Sequence, residues 1–447
     1  MRAFRLRAVA AIVAAVVLAA ACGSSSEDGS GDDESTSTTG KQVAVTAPGV
    51  TSSEIRFTAF GTNSNNPTGN CALDCYTDGI KAYFAYRNSQ GGIYGRDLVL
   101  AEEVDDELGK NQQVALELIS KDDFFGLFSY ALFSTGWSEI GKTSIPMWVY
   151  NLDPASTTGK MNIFSDVGLI CSGCTWFAYP YLAGKAKAKK IAALSYDISE
   201  ASKGCATIIK NSIETYGSEV GNPEVVYLNN NIPFGMQNGV GPEVTAMKNA
   251  GVDLVLTCFD PKGDRTVKQE MVRQGIGSVP MVHPGMYNQD FVEESGALFD
   301  GDYLLLTHAF RPFEATPNAA LTAFKTWMDK TDAPLSEAAM YGWITAAQAY
   351  AGLEAAGPSF DRQKVIDALN EIEDYTADGI IAPLDFGRQH VAPTQEDPAT
   401  NGPDPQCWVM LEIVEQEFRV IGDKSKPFTC WPGTTRAWSD PTLRDFE

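Results

Sequence analysis

The chain has 447 residues, of which 57 are acidic and 34 basic, for a formal net charge of -23. Nucleic-acid partners need basic faces, so this balance excludes them as the expected function. The apolar share, 44%, is that of an ordinary globular chain with enough apolar surface for a large folded body.

Arg2, Arg5 and Arg7 form a positive region ahead of an unbroken apolar run from Ala8 to Ala21. A spanning helix needs about 20 apolar residues, so this shorter run reads as the core of a signal peptide, residues 1–21. It ends in Leu18-Ala19-Ala20-Ala21-Cys22-Gly23. That ending resembles the bacterial lipobox, whose cysteine is diacylated, although Leu18 lies one position further back than the usual motif has it. Ordinary cleavage after an Ala-x-Ala site is the alternative. Residues 22–51 follow as an expected lipidated Cys22 and a tether of Ser, Gly, Thr, Asp and Glu, too polar to bury a core. A flexible coil of that length spans roughly 30 Å, which suits a body held just off a membrane.

From Ile55 onward, short apolar runs alternate with amphipathic segments. The runs are Ile55–Phe57, Leu98–Leu100, Phe124–Phe128 and Pro146–Val149, then Ile191–Leu194, Val225–Leu228, Val252–Thr257, Met281-Val282 and Tyr303–Leu306. Between them, Tyr76, Ile80, Tyr83 and Phe84 share one helical face, as do Val114, Leu118 and Ile119. Alternating strand and helix predicts parallel sheets covered on both faces, and so many strands predict two α/β lobes. Met340, Ile344, Ala347 and Ala351 mark a long Ala-rich helix. Trp408–Val414 and Glu417–Val420 read as paired strands around a Glu-Gln turn.

Nine cysteines include Cys22, which leaves eight for disulfides in an oxidising compartment. Cys71 and Cys75 are close enough to pair locally, as are Cys171 and Cys174. Cys407 and Cys430 flank the C-terminal hairpin, which leaves Cys205 for Cys258, one connectivity among the roughly 105 that eight cysteines permit. The Cys171-x-x-Cys174 spacing also fits a redox motif, but nothing nearby activates a thiolate. Only three histidines occur, none near a cysteine pair, so no metal or other cofactor is expected.

In open parallel sheets, ligands bind beyond the carboxyl ends of the strands. Two such sheets facing each other make a cleft lined by the loops after each strand. That nominates Thr58–Thr62, Ser129–Thr135, residues 150–153, Tyr196-Asp197, Phe259-Asp260 and Pro284–Tyr287.

The segment Gly49 to Arg56, Gly-Val-Thr-Ser-Ser-Glu-Ile-Arg, resembles the opening of the branched-chain amino-acid-binding family of type I periplasmic binding proteins. The resemblance strengthens from Tyr83 to Arg96, where an aromatic helix closes on Asn88-Ser89-Gln90-Gly91-Gly92-Ile93-Tyr94-Gly95-Arg96. Glycines there end the helix in left-handed conformations and turn the chain into the second strand. Glu103-Val104-Asp105-Asp106, Met271 to Gly275 and Met340-Tyr341-Gly342 echo further family segments. The resemblance implies an α/β fold of two doubly wound parallel-sheet lobes joined by a three-crossover hinge. Lobe one would comprise residues 52–170 and 307–405, and lobe two residues 171–306 and 406–447.

The family grips an amino acid between the lobes. By that resemblance Ser129, Tyr130 and Ser134 form one carboxylate loop, and Tyr150 and Asn151 the second. Phe259 stands near the family's lobe-two aromatic. The family's acidic partner for the ammonium falls near Pro284-Gly285-Met286-Tyr287, where this chain has no carboxylate. An ammonium buried there without a partner would be costly. Asp260 or Asp197, beside Tyr196, could substitute. Otherwise the ligand lacks an ammonium and is an amide, an aromatic acid or an apolar molecule stacked on Tyr287 and Trp137.

Two competing signals are declined. Gly136 to Thr143 satisfies the Walker A pattern, but Thr143 runs directly into Ser144-Ile145-Pro146 and a strand, not a helix. No Gly-x-Ser-x-Gly or His-Glu-x-x-His occurs, and His283, His308 and His390 are far apart, so no enzyme is expected. His308 would lie at a crossover, which fits a hinge or cleft-mouth role. The expected function is the exported, membrane-anchored solute-binding component of an ABC importer, partnered by permease and ATPase subunits. A ligand-sensing receptor domain of the same fold is the alternative, and an exported enzyme a third.

Overall fold

The computed structural model describes residues 42–151, 156–167, 174–392, 394, 406–432 and 437–447. The signal peptide, Cys22 and most of the tether lie outside the described residues. So do Leu152, Asp153 and Cys171, and the expected lobe boundaries at 170/171 and 405/406.

The first sheet is five-stranded, all parallel, in the order β2-β1-β3-β4-β5. Its strands are β1 (Glu54–Gly61), β2 (Asp97–Asp105), β3 (Gly126–Tyr130), β4 (Met147–Val149) and β5 (Ile163–Ser165). Helices α1 (Leu73–Ser89), α2 (Asn111–Lys121) and the short α3 (Trp137–Ile140) connect them. A parallel sheet needs cover on both faces, and this one has it. Ile55, Phe57 and Phe128 join the core beneath α1, while Phe60, Leu127, Met147 and Val149 pack with Val114 and Leu118 of α2.

The second sheet is nine-stranded. Its parallel part comprises β6 (Lys190–Tyr196), β7 (Glu224–Ile232), β8 (Leu254–Cys258), β9 (Met281–His283) and β10 (Tyr303–Leu306). Between these strands run α4 (Ala178–Lys185), which precedes β6, then α5 (Glu200–Tyr216), α6 (Gly241–Ala250), α7 (Pro261–Arg273) and α8 (Gln289–Glu294). One face buries Ile191, Ala193, Leu254 and Leu256 with Ile209 and Ile213 of α5. The other buries Ala192, Leu194 and Val255 with Val244 of α6 and Val267 of α7.

The chain then returns to the first lobe as α9 (Ala319–Lys330), α10 (Glu337–Ala356) and α11 (Arg362–Asn370), of which α9 and α10 pack on α1. The tail adds β11 (Gln406–Val414), β12 (Glu417–Val420), β13 (Phe428–Trp431) and β14 (Thr442–Arg444) to the second sheet. All these tail pairings are antiparallel, so the sheet is parallel only through β10. Glu415 and Gln416, at φ of 55° and 66°, form the tight turn of the β11–β12 hairpin.

Three expected disulfides are present: Cys71–Cys75, Cys205–Cys258 and Cys407–Cys430. The last joins residues directly opposite each other on β11 and β13. No helix among the described residues is long and apolar enough to cross a membrane.

Candidate ligand-binding site

The carboxyl ends of β3 and β4 carry an aromatic stack. Tyr130 and Tyr150 lie face to face, with ring centroids 4.5 Å apart and planes within 6°. Tyr150 stacks in turn on Tyr341 of α10 at 4.8 Å, and its ring meets that of His308 at 4.8 Å. Tyr76 of α1 supports Tyr130 from below at 5.6 Å and hydrogen-bonds Thr345 at 2.8 Å. Such contacts between largely buried rings hold the stack in place. Tyr130 and Tyr341 are buried, while Tyr150 keeps some exposed surface.

His308 occupies the crossover between β10 and α9. Its Nδ1 lies 2.9 Å from Oδ2 of Asp166, the residue that follows β5. Asp166 is itself fixed by its main chain, which donates to the Val149 carbonyl and accepts from Gln348 Nε2 at 3.0 Å. His308 is 1% exposed, and its Nε2 has no hydrogen-bond partner among the described residues.

Glu337 opens α10, directly after the Ser336 cap. Its Oε1 accepts from the Tyr341 hydroxyl at 2.6 Å, one helical turn on. The main-chain N–H of Tyr287, from the loop after β9, stands near this carboxylate and favours its ionised form. Burial pushes the Glu337 carboxyl up to about 7. The Tyr341 hydroxyl, His308 and the Tyr287 N–H pull against that rise, and Asp166 adds to it.

Two of the contacts between residues of lobe two and lobe one bear on this site. Tyr287 is driven into the crossover segment, stacked on Phe313 at 4.9 Å. Its hydroxyl donates to Glu314 Oε2 at 2.6 Å and accepts from the Phe313 N–H at 2.6 Å. On the opposite side, the loop between β1 and α1 reaches the first turn of α7. A Cβ placed on Gly69 would lie 3.7 Å from the Lys262 Cβ. The Cys71–Cys75 disulfide braces that loop.

The residues expected to line the cleft fall into three groups. In the first, Tyr130 and Tyr150 form the stack. Ser129 is fully buried, and its hydroxyl accepts from Trp137 Nε1 at 3.0 Å. Trp137 is 1% exposed, so it offers no free face for stacking. Ser134 hydrogen-bonds Ser156 at 2.8 Å, and the Asn151 amide reaches Thr157 at 3.3 Å, which ties the two loops together.

In the second group, Tyr196 packs on Phe259 at 4.5 Å and donates to Asp260 Oδ2 at 2.8 Å. The other oxygen, Asp260 Oδ1, caps α7 by accepting from the Gly263 N–H at 3.0 Å. Both Asp260 oxygens are thus engaged, and burial raises this carboxyl from its ordinary value. Asp197 is exposed. In the third, Met286 and Tyr287 are buried in the core on the hinge side.

Asp166, Glu337 and Tyr341 were not singled out as site residues from the sequence. Glu337 reads as an ordinary first-turn acid that complements a helix dipole, and Asp166 as a loop carboxylate. Only His308, placed at a crossover, carried a signal. A separate cavity of about 460 Å³ lies on the flank of lobe one, lined by Tyr83, Tyr86, Trp343 and Asp378 among others, away from the strand ends.

A model of the periplasmic binding protein family matches residues 69–400. A search of curated proteins found no match. Among solved structures, a branched-chain amino acid ABC transporter protein from Thermus thermophilus with bound valine is similar at 15% identity and a TM-score of 0.64. The match covers 84% of this chain and 97% of that one. A solute-binding protein from R. palustris in complex with benzoate is similar at 19% identity and a TM-score of 0.63, over 86% of this chain and 100% of that one. A fatty acid ABC transporter substrate-binding protein from Thermomonospora curvata matches at 15% identity and a TM-score of 0.64, over 88% and 94%. At these identities the structures show a shared fold.

Proposed function

The chain belongs to the periplasmic binding protein family, and on that footing we propose that it is the extracytoplasmic receptor of an ABC importer. It takes one small organic molecule between its lobes, closes about the hinge, and presents the closed form to permease and ATPase subunits. Lipidation of Cys22 would keep it at the membrane, with residues 22–51 as tether. The reading makes it a carrier of its ligand and not an enzyme.

The observation that carries this reading is the floor built where the strand ends converge. Tyr130, Tyr150 and Tyr341 form an aromatic wall, and His308 and Glu337 place polar atoms beside it. A few polar groups set among aromatic walls is the usual make-up of a small-molecule site. Relatives named for valine, benzoate and fatty acid support a small organic acid, with or without an amino group.

Thermal unfolding of the purified protein against L-valine, L-leucine, benzoate, 4-hydroxybenzoate and octanoate tests the reading. At about 100 times its dissociation constant a ligand adds roughly 2.7 kcal/mol, which raises the midpoint by several degrees. The expected outcome is a shift with at least one panel member, lost in Tyr150→Ala. A flat panel, or a shift that Tyr150→Ala leaves unchanged, contradicts the proposal.

A further inference from the structure

We propose that Glu337, from the start of α10, is the group that binds a cationic amine on the ligand, in place of an acid on the lobe-two loop after β9. The inference rests on the reading of the interlobe cleft as the ligand site and deepens it to a ligand class.

Pro284-Gly285-Met286-Tyr287 contains no carboxylate, yet a carboxylate is held at that loop. Glu337, from the other lobe, stands near enough for the Tyr287 main-chain N–H to favour its ionised form. The other candidate acids are otherwise occupied or placed: Glu314 accepts from the Tyr287 hydroxyl on the hinge side. Asp260 spends one oxygen on the α7 cap and the other on Tyr196, and Asp197 is exposed.

Charge points the same way. The groups facing Glu337 are Tyr341 from its own helix, Tyr130 and Tyr150 from the first sheet, Asp166 after β5, His308 from the crossover and Tyr287 from lobe two. Two carboxylates therefore share this buried space with one imidazole. A buried carboxylate is retained at a cost unless a cation pairs with it. Glu337 accepts from the Tyr341 hydroxyl, which is fewer bonds than its lone pairs can take, and it keeps some exposed surface. His308 Nε2, buried and without a hydrogen-bond partner among the described residues, supplies a second polar atom that awaits a ligand. An ammonium offsets the negative charge of Glu337 and takes up its open acceptor positions, with the Tyr130–Tyr150–Tyr341 wall alongside for its apolar part.

The test measures affinities of the wild type, Glu337→Gln and Glu337→Asp by calorimetry at pH 5.5, 7 and 8.5. The probes are matched pairs: L-leucine against 4-methylpentanoate, and benzylamine against benzoate. The expected result is that an amine-bearing probe binds the wild type and tightens by roughly tenfold or more between pH 5.5 and 8.5, as the carboxyl ionises. Glu337→Gln should weaken it by about a hundredfold and Glu337→Asp by less, with unfolding midpoints of both variants showing that they fold. Amine binding in Glu337→Gln within threefold of wild type overturns the inference. So does a wild type that binds only benzoate or 4-methylpentanoate, which would leave the receptor reading intact. Silence from every probe overturns the inference, and a flat thermal panel would then bring down the receptor reading with it.

Discussion

His283 sits on the last position of β9 with a carboxylate on either side. Its Nδ1 lies 2.9 Å from Asp264 and its Nε2 3.0 Å from Asp302, while Lys268 donates to the other Asp302 oxygen at 2.6 Å; all four side chains are essentially unexposed. Burial by itself would lower the imidazole, but Asp264 and Asp302 outweigh it and hold it up at about 9. An unfolded imidazole titrates near ~6.5. Between those values the folded state binds more protons than the unfolded one, so stability falls as pH rises through that window and is fully present below it. Urea unfolding from pH 6 to pH 10 should therefore show the wild type losing stability across that range. His283→Gln should be less stable at pH 6 by about 3 kcal/mol or more, since it leaves buried carboxylates uncompensated, and its pH slope should be flatter. Equal slopes in the two proteins would contradict the assignment. The sequence showed His283 only as one of three scattered histidines, because its partners come from α7 and from Asp302, just before β10, and meet only once the sheet has formed.

Helices α1 and α10 approach so closely that glycine is required where they cross. A Cβ on Gly342 would stand 1.9 Å from the Tyr76 carbonyl oxygen, and one on Gly79 would stand 1.8 Å from that of Ala339. Both obstacles are main-chain atoms, which cannot swing aside. Gly342→Ala should cost about 1–3 kcal/mol or more by overpacking. Gly109→Ala, where nothing lies within 4 Å, should stay within about 0.5 kcal/mol of wild type. Denaturant unfolding of the two variants checks this, and near-equal midpoints would refute the close crossing. Because α1 carries Tyr76 and α10 carries Glu337 and Tyr341, the same crossing sets the distance between wall and carboxylate. Elements of this kind were legible in part. The apolar runs at Ile55, Ile191 and Val252 became central strands, since burial on both faces leaves continuous apolar residues. Gly91, Gly92 and Gly95 do take positive φ, as the helix-ending motif requires. Strands of three or four residues such as β5, β13 and β14 show no period of their own, and they form because a neighbouring edge is already in place. The stack of Tyr130, Tyr150 and Tyr341 was half legible. Strand-end logic found the first two, but nothing in a helical pattern marks Tyr341 as different from a core residue.

At the scale of the whole molecule, contacts between the lobes decide what the cleft can do. On the hinge side Tyr287 is locked to Glu314 and the Phe313 N–H, and Glu337 reaches the same loop. On the outer side the braced loop at Gly69 meets α7 at Lys262. On the proposed reading a molecule lying against Tyr150 and Glu337 sits between these two contacts, and separation of the outer one opens its way in and out. Closure about such a hinge is how a two-lobed receptor couples occupancy to its shape. The Cβ separation of 3.7 Å between positions 69 and 262 matches that of a disulfide, about 3.8 Å on average. Gly69→Cys combined with Lys262→Cys is therefore placed to fasten the two lobes together, against the backbone strain of a side chain at position 69, whose φ is 79°. The most direct measurement is ligand exchange in this double variant, oxidised before or after addition of the tightest probe from the thermal panel. The cleft account predicts that the protein oxidised while empty takes up no ligand, and that the protein oxidised while loaded releases none until it is reduced. Uptake and release at the wild-type rate in the oxidised protein would contradict it.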